Sequence, residues 1–247
     1  MADTIDLISR IATLGDDAFA VAADIDAIKG RFESKEIYNL TDVEISQWSY
    51  EAEALVQEAE TLGQSLGEIE DEISSMLSRT ANGEYGYANQ LATSGVEMLG
   101  DMLDFIADLR DLEEFSYGLR SLVNAMASFS DFYEDTVRLD RQIAIGNLGG
   151  AVQIAADARV HLRAGKLLTE ELLGTLEGVS DQIQLPVNDE DVELIVETAE
   201  GIELDMNTLM DQLDQGDQEG SSRTMSEIKD AFVILAQELQ LSGLTSP

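Results

Sequence analysis

One histidine and no cysteine set the limits on bond-making chemistry in this 247-residue chain. His161 has no second imidazole or thiolate with which to share a metal. That removes multi-histidine zinc sites, the His-Glu-x-x-His metalloprotease pattern and the paired Glu-x-x-His of di-metal helical bundles. Disulfides, thiolate ligation and thiol catalysis go with the missing cysteines. The sequence has no Gly-x-x-x-x-Gly-Lys-Ser/Thr phosphate loop, no Gly-x-Ser-x-Gly elbow and no Asp-x-Asp-x-Asp-Gly calcium loop. A Ser-His-Asp arrangement would have to run through His161, and no local pattern supports one. Carboxylates are the abundant alternative, with 50 Asp and Glu against 14 Lys and Arg. A general acid or base needs a dry pocket that shifts its pKa. Pairs one helical turn apart, such as Glu68 and Glu72, read as solvated surface. The expectation is a chain with no catalytic residue, no metal site and no cofactor.

One stretch breaks the acidic monotony. Arg138, Arg141, Arg159, Arg163 and Lys166 fall within 29 residues, with His161 among them and only Asp140 and Asp157 opposing them. Arg159, Arg163 and Lys166 share one helix face at i, i+4 and i+7. Guanidinium groups suit bidentate contact with carboxylate or phosphate. The stretch is therefore the candidate partner-binding site, for an acidic protein or a second copy of the chain. Internal pairing with the chain's own acids is the competing use. Nucleic acid is not an expected partner, because the rest of the surface repels phosphate.

These residues sit on helices almost throughout. Apolar side chains recur at alternating steps of three and four, the spacing of a helix with one buried seam. The first seam runs Leu7, Ile11, Leu14, Ala18, Val21, Ile25, Ile28, with Phe19 on a flanking stripe expected to widen the buried face. The second helix, expected over 42–79, opens on a capping box, Thr41 with Glu44, and a staple, Leu40 with Ile45. Its seam continues through Trp48, Leu55, Leu62, Leu66, Ile69 and Ile73. Gly63 and Gly67 lie beside that seam, where a close neighbour would compensate their poor helix propensity. Asn82-Gly83 reads as a stop. A third helix (85–110) and a fourth (112–143) follow; Gly118 offers the one break between them, and a single bent helix is the alternative. A fifth covers 151–184 and ends before Pro186. Asn188 caps a sixth. The polar run 214–222 reads as a linker, and a last helix opens at the Thr224–Glu227 capping box.

The fold class is all-α: six or seven long amphipathic helices in antiparallel hairpins, forming a bundle or an elongated coiled-coil-like stack. Two regions are expected, a long helical hairpin over 1–82 and a helical bundle over 83–247, packed separately or as one domain. A faint repeat is also present. Gly-Glu-Tyr-Gly-Tyr-Ala at 83–88 matches Gly-Asn-Leu-Gly-Gly-Ala at 146–151, and 216–221 is a weaker third copy. The pattern Gly-x-Leu/Tyr-x-x-Ala is similar to the turn between helices of tetratricopeptide repeats. Their period is ~34 residues with short helices, and these helices are about twice as long, so the family is not assigned. Independent turns sharing glycine chemistry are the simplest account.

Composition points to an environment. The formal charge is −36 and only four of the cations are lysines, yet 44% of the residues are hydrophobic, so the chain can bury a core. The acids are dispersed rather than gathered in a tail, which argues for a folded protein with an acidic skin rather than disorder. Such a surface repels itself at ordinary ionic strength. Molar salt shortens the Debye length to about 3 Å and lifts that penalty. The expected setting is a halophilic organism or its virus. The N-terminus carries no secretory signal pattern and no run is apolar enough to span a membrane. The functional expectation is a non-enzymatic structural or assembly protein, cytoplasmic or in a virion, acting through helix-mediated protein contacts, self-association or incorporation into a larger particle. The alternative is a cytosolic adaptor docking an acidic partner through Arg138–Lys166. On dilution from molar KCl to ~10 mM, circular dichroism should show the helical signal collapsing; an unchanged spectrum contradicts the halophilic reading.

Overall fold

The computed structural model describes residues 2–32, 34–35, 40–81, 88–176 and 189–241. Among these residues the structure is all-helical, with six helices and no strand. They are α1 (Ala2–Phe32), α2 (Asp42–Ala81), α3 (Ala88–Ala144), α4 (Leu148–Leu176), α5 (Asp189–Gln215) and α6 (Gln218–Leu241). Each runs antiparallel to the next. Arg10 reaches Glu72 and Ser49 reaches Asn124, which fixes the register of α1 and α3 on α2. At 57 residues, α3 is about 85 Å long. α1 meets it at Phe105 and α2 runs along it as far as Asn124, while from Gly118 onward it also closes a four-helix ring with α4, α5 and α6. The expected stop at Asn82-Gly83, the first copy of the repeat, the end of the fifth expected helix, Pro186 and the Asn188 cap lie outside the described residues.

The seams read from the sequence are the core. Leu7, Leu14, Ala18, Val21, Ile25 and Ile28 of α1 are buried, as are Trp48, Leu55, Leu62, Leu66, Ile69 and Ile73 of α2. They belong to one connected cluster that runs on to Leu239 of α6. The α2 start is a reciprocal box: Glu44 N–H donates to Thr41 Oγ1 at 3.3 Å, and Thr41 N–H donates to Glu44 Oε2 at 3.1 Å. Lys35 adds an ion pair to Glu44. That ammonium, with Thr41, holds the Glu44 carboxyl down at about 2. Phe19 is a correction. It is exposed, because α1 lies at the edge and packs mainly on α2 and α3, too few neighbours to cover a wide face.

Gly118 does not break the third and fourth expected helices; α3 passes straight through it. A Cβ there would lie 3.1 Å from Leu172 and 3.2 Å from Thr175, so this glycine admits α4. Gly165 of α4 does the same more tightly. A Cβ at 165 would stand 2.7 Å from the ring of Phe129, which is fully buried. Of the two glycines beside the α2 seam, Gly63 lies under the Glu113 carboxylate while Gly67 has no neighbour within 4 Å.

The expected linker at 214–222 shrinks to Gly216-Asp217. Gly216, at φ +74°, closes α5 with Gly216 N–H to Leu213 C=O and Asp217 N–H to Gln212 C=O, a Schellman end. Asp217 Oδ1 then accepts Gly220 N–H and starts α6 six residues before the expected capping box at Thr224, which is buried mid-helix. The turn at Gly146, φ +75°, repeats every bond: Gly146 to Ile143, Asn147 to Gln142, and Gly150 N–H to Asn147 Oδ1.

The likeness extends along both helices at an offset of 70 residues. Buried Leu122, Phe129, Phe132, Thr136 and Leu139 answer to buried Val192, Ala199, Ile202, Met206 and Leu209. On the returning helices, Ala155, Ala158, Leu162 and Gly165 answer to Met225, Ile228, Phe232 and Leu235. Large and small are exchanged between the copies: Phe129 faces Gly165, whereas small Ala199 and large Leu235 hold the equivalent places. One polar detail differs. Asn147 Nδ2 donates to Gln142 Oε1 at 2.6 Å. Asp217 has no amide to donate, and the buried Gln212 Oε1 lacks a hydrogen-bond partner.

This packing predicts a swap. Gly165→Ala should cost about 1–3 kcal/mol by overpacking and Phe129→Ala about 3–5 kcal/mol by emptying the site. Combining Phe129→Ala with Gly165→Leu, the arrangement of the second copy, should return most of the latter loss in urea unfolding.

Candidate functional site

The cationic stretch divides between two helix seams. On α4, Arg163 Nε lies 2.5 Å from Glu203 Oε1 and Lys166 Nζ 2.9 Å from Glu200 Oε1, both acids of α5. The Glu200 hydrogen bond raises the Lys166 pKa against the opposing effect of burial. Arg159 donates to Asn207 Oδ1 at 3.0 Å on the same seam. The shared face read from the i, i+4, i+7 spacing is therefore the face that meets α5. Arg138 pairs at 2.8 Å with Asp135 on its own helix and is largely exposed. Arg141 is exposed and makes no ion pair or side-chain hydrogen bond among the described residues.

His161 faces the other way, toward α3. Its Nδ1 lies 3.1 Å from Asp135 Oδ2. The Asp135 side chain is only 6% exposed and also holds Arg138 through Oδ1. A carboxylate on Nδ1 orients an imidazole and leaves Nε2 outward, the base-and-orienter half of a nucleophilic site. Among the described residues no hydroxyl or amine is hydrogen-bonded to Nε2. Asp135 was not legible as a partner, because it lies outside the 138–166 window and reaches His161 only through the α3–α4 register.

The same logic governs the other cations. Arg10 bridges from α1 to Glu68 and Glu72 of α2, the pair that the sequence suggested as solvated surface. Arg31 joins α1 to Glu51. Arg110 and Arg120 join α3 to Glu70 and Glu53 of α2. Lys229 ties α6 to Asp140 at 2.9 Å. Positive charge thus collects at helix seams, and the outward faces keep their acids.

Between Arg110 and Arg120 on the α2–α3 seam, acids also meet one another. Tyr117 donates its hydroxyl to Glu60, and that bond pushes the phenol up to about 12. Glu113 lies beside them against Gly63, and burial, then the Glu60 and Glu114 charges, raise its carboxyl pKa. Among the described residues no group of three histidine or acid side chains could hold a metal ion.

A groove of about 270 Å³ lies between α1 and α2. It is lined by buried Ile28 and Leu55 and by exposed Ala27, Ala54, Tyr50, Asp24 and Glu58. The spacing of α1 and α2 residues gave no warning of it, since the seam positions alone were read. Arg31 closes one end, and its pairing with Glu51 lowers the Glu51 pKa.

No family model matches the chain, and no match is found among curated proteins or solved structures. No helix among the described residues is long and apolar enough to cross a membrane.

Glu113 gives a pH test. Its folded pKa is raised, so the fold loses stability as pH rises through that value and regains it on acidification. Glu113→Gln should raise the urea midpoint at pH 7, and the gain should vanish below about pH 3.5, under the ordinary value of 4.5, where both states are protonated.

Proposed function

We propose that this chain is a non-enzymatic structural or assembly protein of a salt-rich setting, a halophilic organism or its virus, acting through helix-mediated contacts with other protein molecules. The observation that carries the reading is the outward face of the bundle. Large apolar side chains stand exposed there, Tyr50, Ile145, Val160, Leu167 and Leu204, on a surface otherwise dominated by carboxylates. Isolated exposed apolar residues are ordinary. Val160 and Leu167 lie on one face of α4 on either side of Arg163, and Leu204 follows Glu203, the partner of Arg163 across the seam. They therefore cluster around one ion pair, and such a patch with a polar surround suits a protein contact.

The adaptor reading, with Arg138–Lys166 docking an acidic partner, rests on Arg141 and the exposed side of Arg138, since Arg159, Arg163 and Lys166 are engaged with α5. Purification from the native host in molar KCl tests the main reading. The protein should migrate with a particle or complex well above its own 26.9 kDa mass. Recovery only as a lone chain, with nothing co-migrating, would sink both readings.

A further inference from the structure

The groove between α1 and α2 and the C-terminal end of α3 carry unmatched chemistry of opposite kinds. At the groove, the Tyr50 side chain is exposed, with a residue exposure of 77%, and Ala27 and Ala54 line the groove with the buried Ile28 and Leu55. Asp24 and Glu58 also line it and make no ion pair among the described residues, because the nearby Arg31 is already held by Glu51. An aromatic side chain and free carboxylates lining one groove with apolar residues accept a cation on an apolar stem. At the end of α3, the Arg141 side chain has no ion pair or hydrogen bond among the described residues. Ile145 lies one turn further on the same face, 74% exposed, and its N–H bonds to Arg141 C=O.

We propose that Arg141 and Ile145 of one copy dock into the α1–α2 groove of a second copy. The guanidinium lies over Tyr50 between Asp24 and Glu58, and Ile145 covers the ring edge. Charge complementarity selects this occupant. Two copies at −36 present acids to each other over most of their surfaces; molar salt screens that repulsion but supplies no attraction, whereas close contact of a free cation with free acids does. The two surfaces are different patches, so the contact is head to tail and extends to a ring or an open filament. The proposal rests on the assembly role proposed above.

Light scattering of the full chain at rising concentration in about 2 M KCl tests it, with circular dichroism confirming that each variant keeps its helices. The wild type should associate. Arg141→Glu, and separately the double change Asp24→Arg with Glu58→Arg, should each weaken association at least about tenfold. Mixing the two variants should restore 1:1 association, because the first keeps the acidic groove and the second keeps Arg141. Association unchanged in both variants overturns this contact and leaves the assembly reading standing. A wild type that stays monomeric also overturns it, and co-migration from the host then decides the assembly reading by itself. A monomer that binds a basic peptide through Tyr50 overturns the second copy as the occupant.

Discussion

Self-repulsion among fifty carboxylates is the constraint that the rest of this structure answers. A folded chain of this charge gathers like charges that an unfolded one spreads apart. The fold responds in two ways. A connected apolar core runs from Leu7 to Leu239 and supplies attraction that does not depend on charge. The scarce cations stand where neighbouring helices bring acids together: Arg10 and Arg31 between α1 and α2, Arg110 and Arg120 between α2 and α3, Arg163 and Lys166 between α4 and α5. Exposed pairs contribute little individually. Their position matters more than their sum, since a bare seam of facing acids would push the helices apart. The α2–α3 contact at Glu60 and Glu113 shows what such a place looks like, with a carboxyl whose pKa is raised by burial first and then by the neighbouring Glu60 and Glu114 charges.

Helix seams were legible in the sequence because their spacing is a local property. The steps from Leu7 to Ile28 and from Trp48 to Ile73 required no knowledge of the partner helix. The capping box at Thr41 and Glu44 was equally local. What failed depended on neighbours. Phe19 looked like a flanking core residue, but no third helix covers that side of α1. Gly118 looked like a break, although its missing side chain makes room for Leu172. Thr224 looked like a cap, while Gly216 and Asp217 had already made the turn with backbone geometry that any polar stretch can hide. The five clustered cations were visible as a group. Their partners Glu203, Glu200 and Asn207 lie 34 or more residues away, and only the α4–α5 register reveals them.

The second half of α3 with α4, and α5 with α6, are two editions of one hairpin. The turns share bonds and the buried positions share an offset, yet the side chains are complementary rather than alike. Phe129 over Gly165 and Ala199 with Leu235 fill comparable space by opposite assignments. Close packing constrains the total volume at a contact more strongly than the identity of either contributor. Sequence similarity between the copies is faint for that reason.

The length of α3 carries a thermodynamic corollary. A single uninterrupted helix furnishes one wall to the three-helix end and another to the four-helix end. If either end opened, half of α3 would be left in water with a naked greasy edge, and helix termini fray into whatever has lost its cover. The two ends overlap on α3 between Gly118 and Asn124, so loosening either one draws on a segment that the other also packs against.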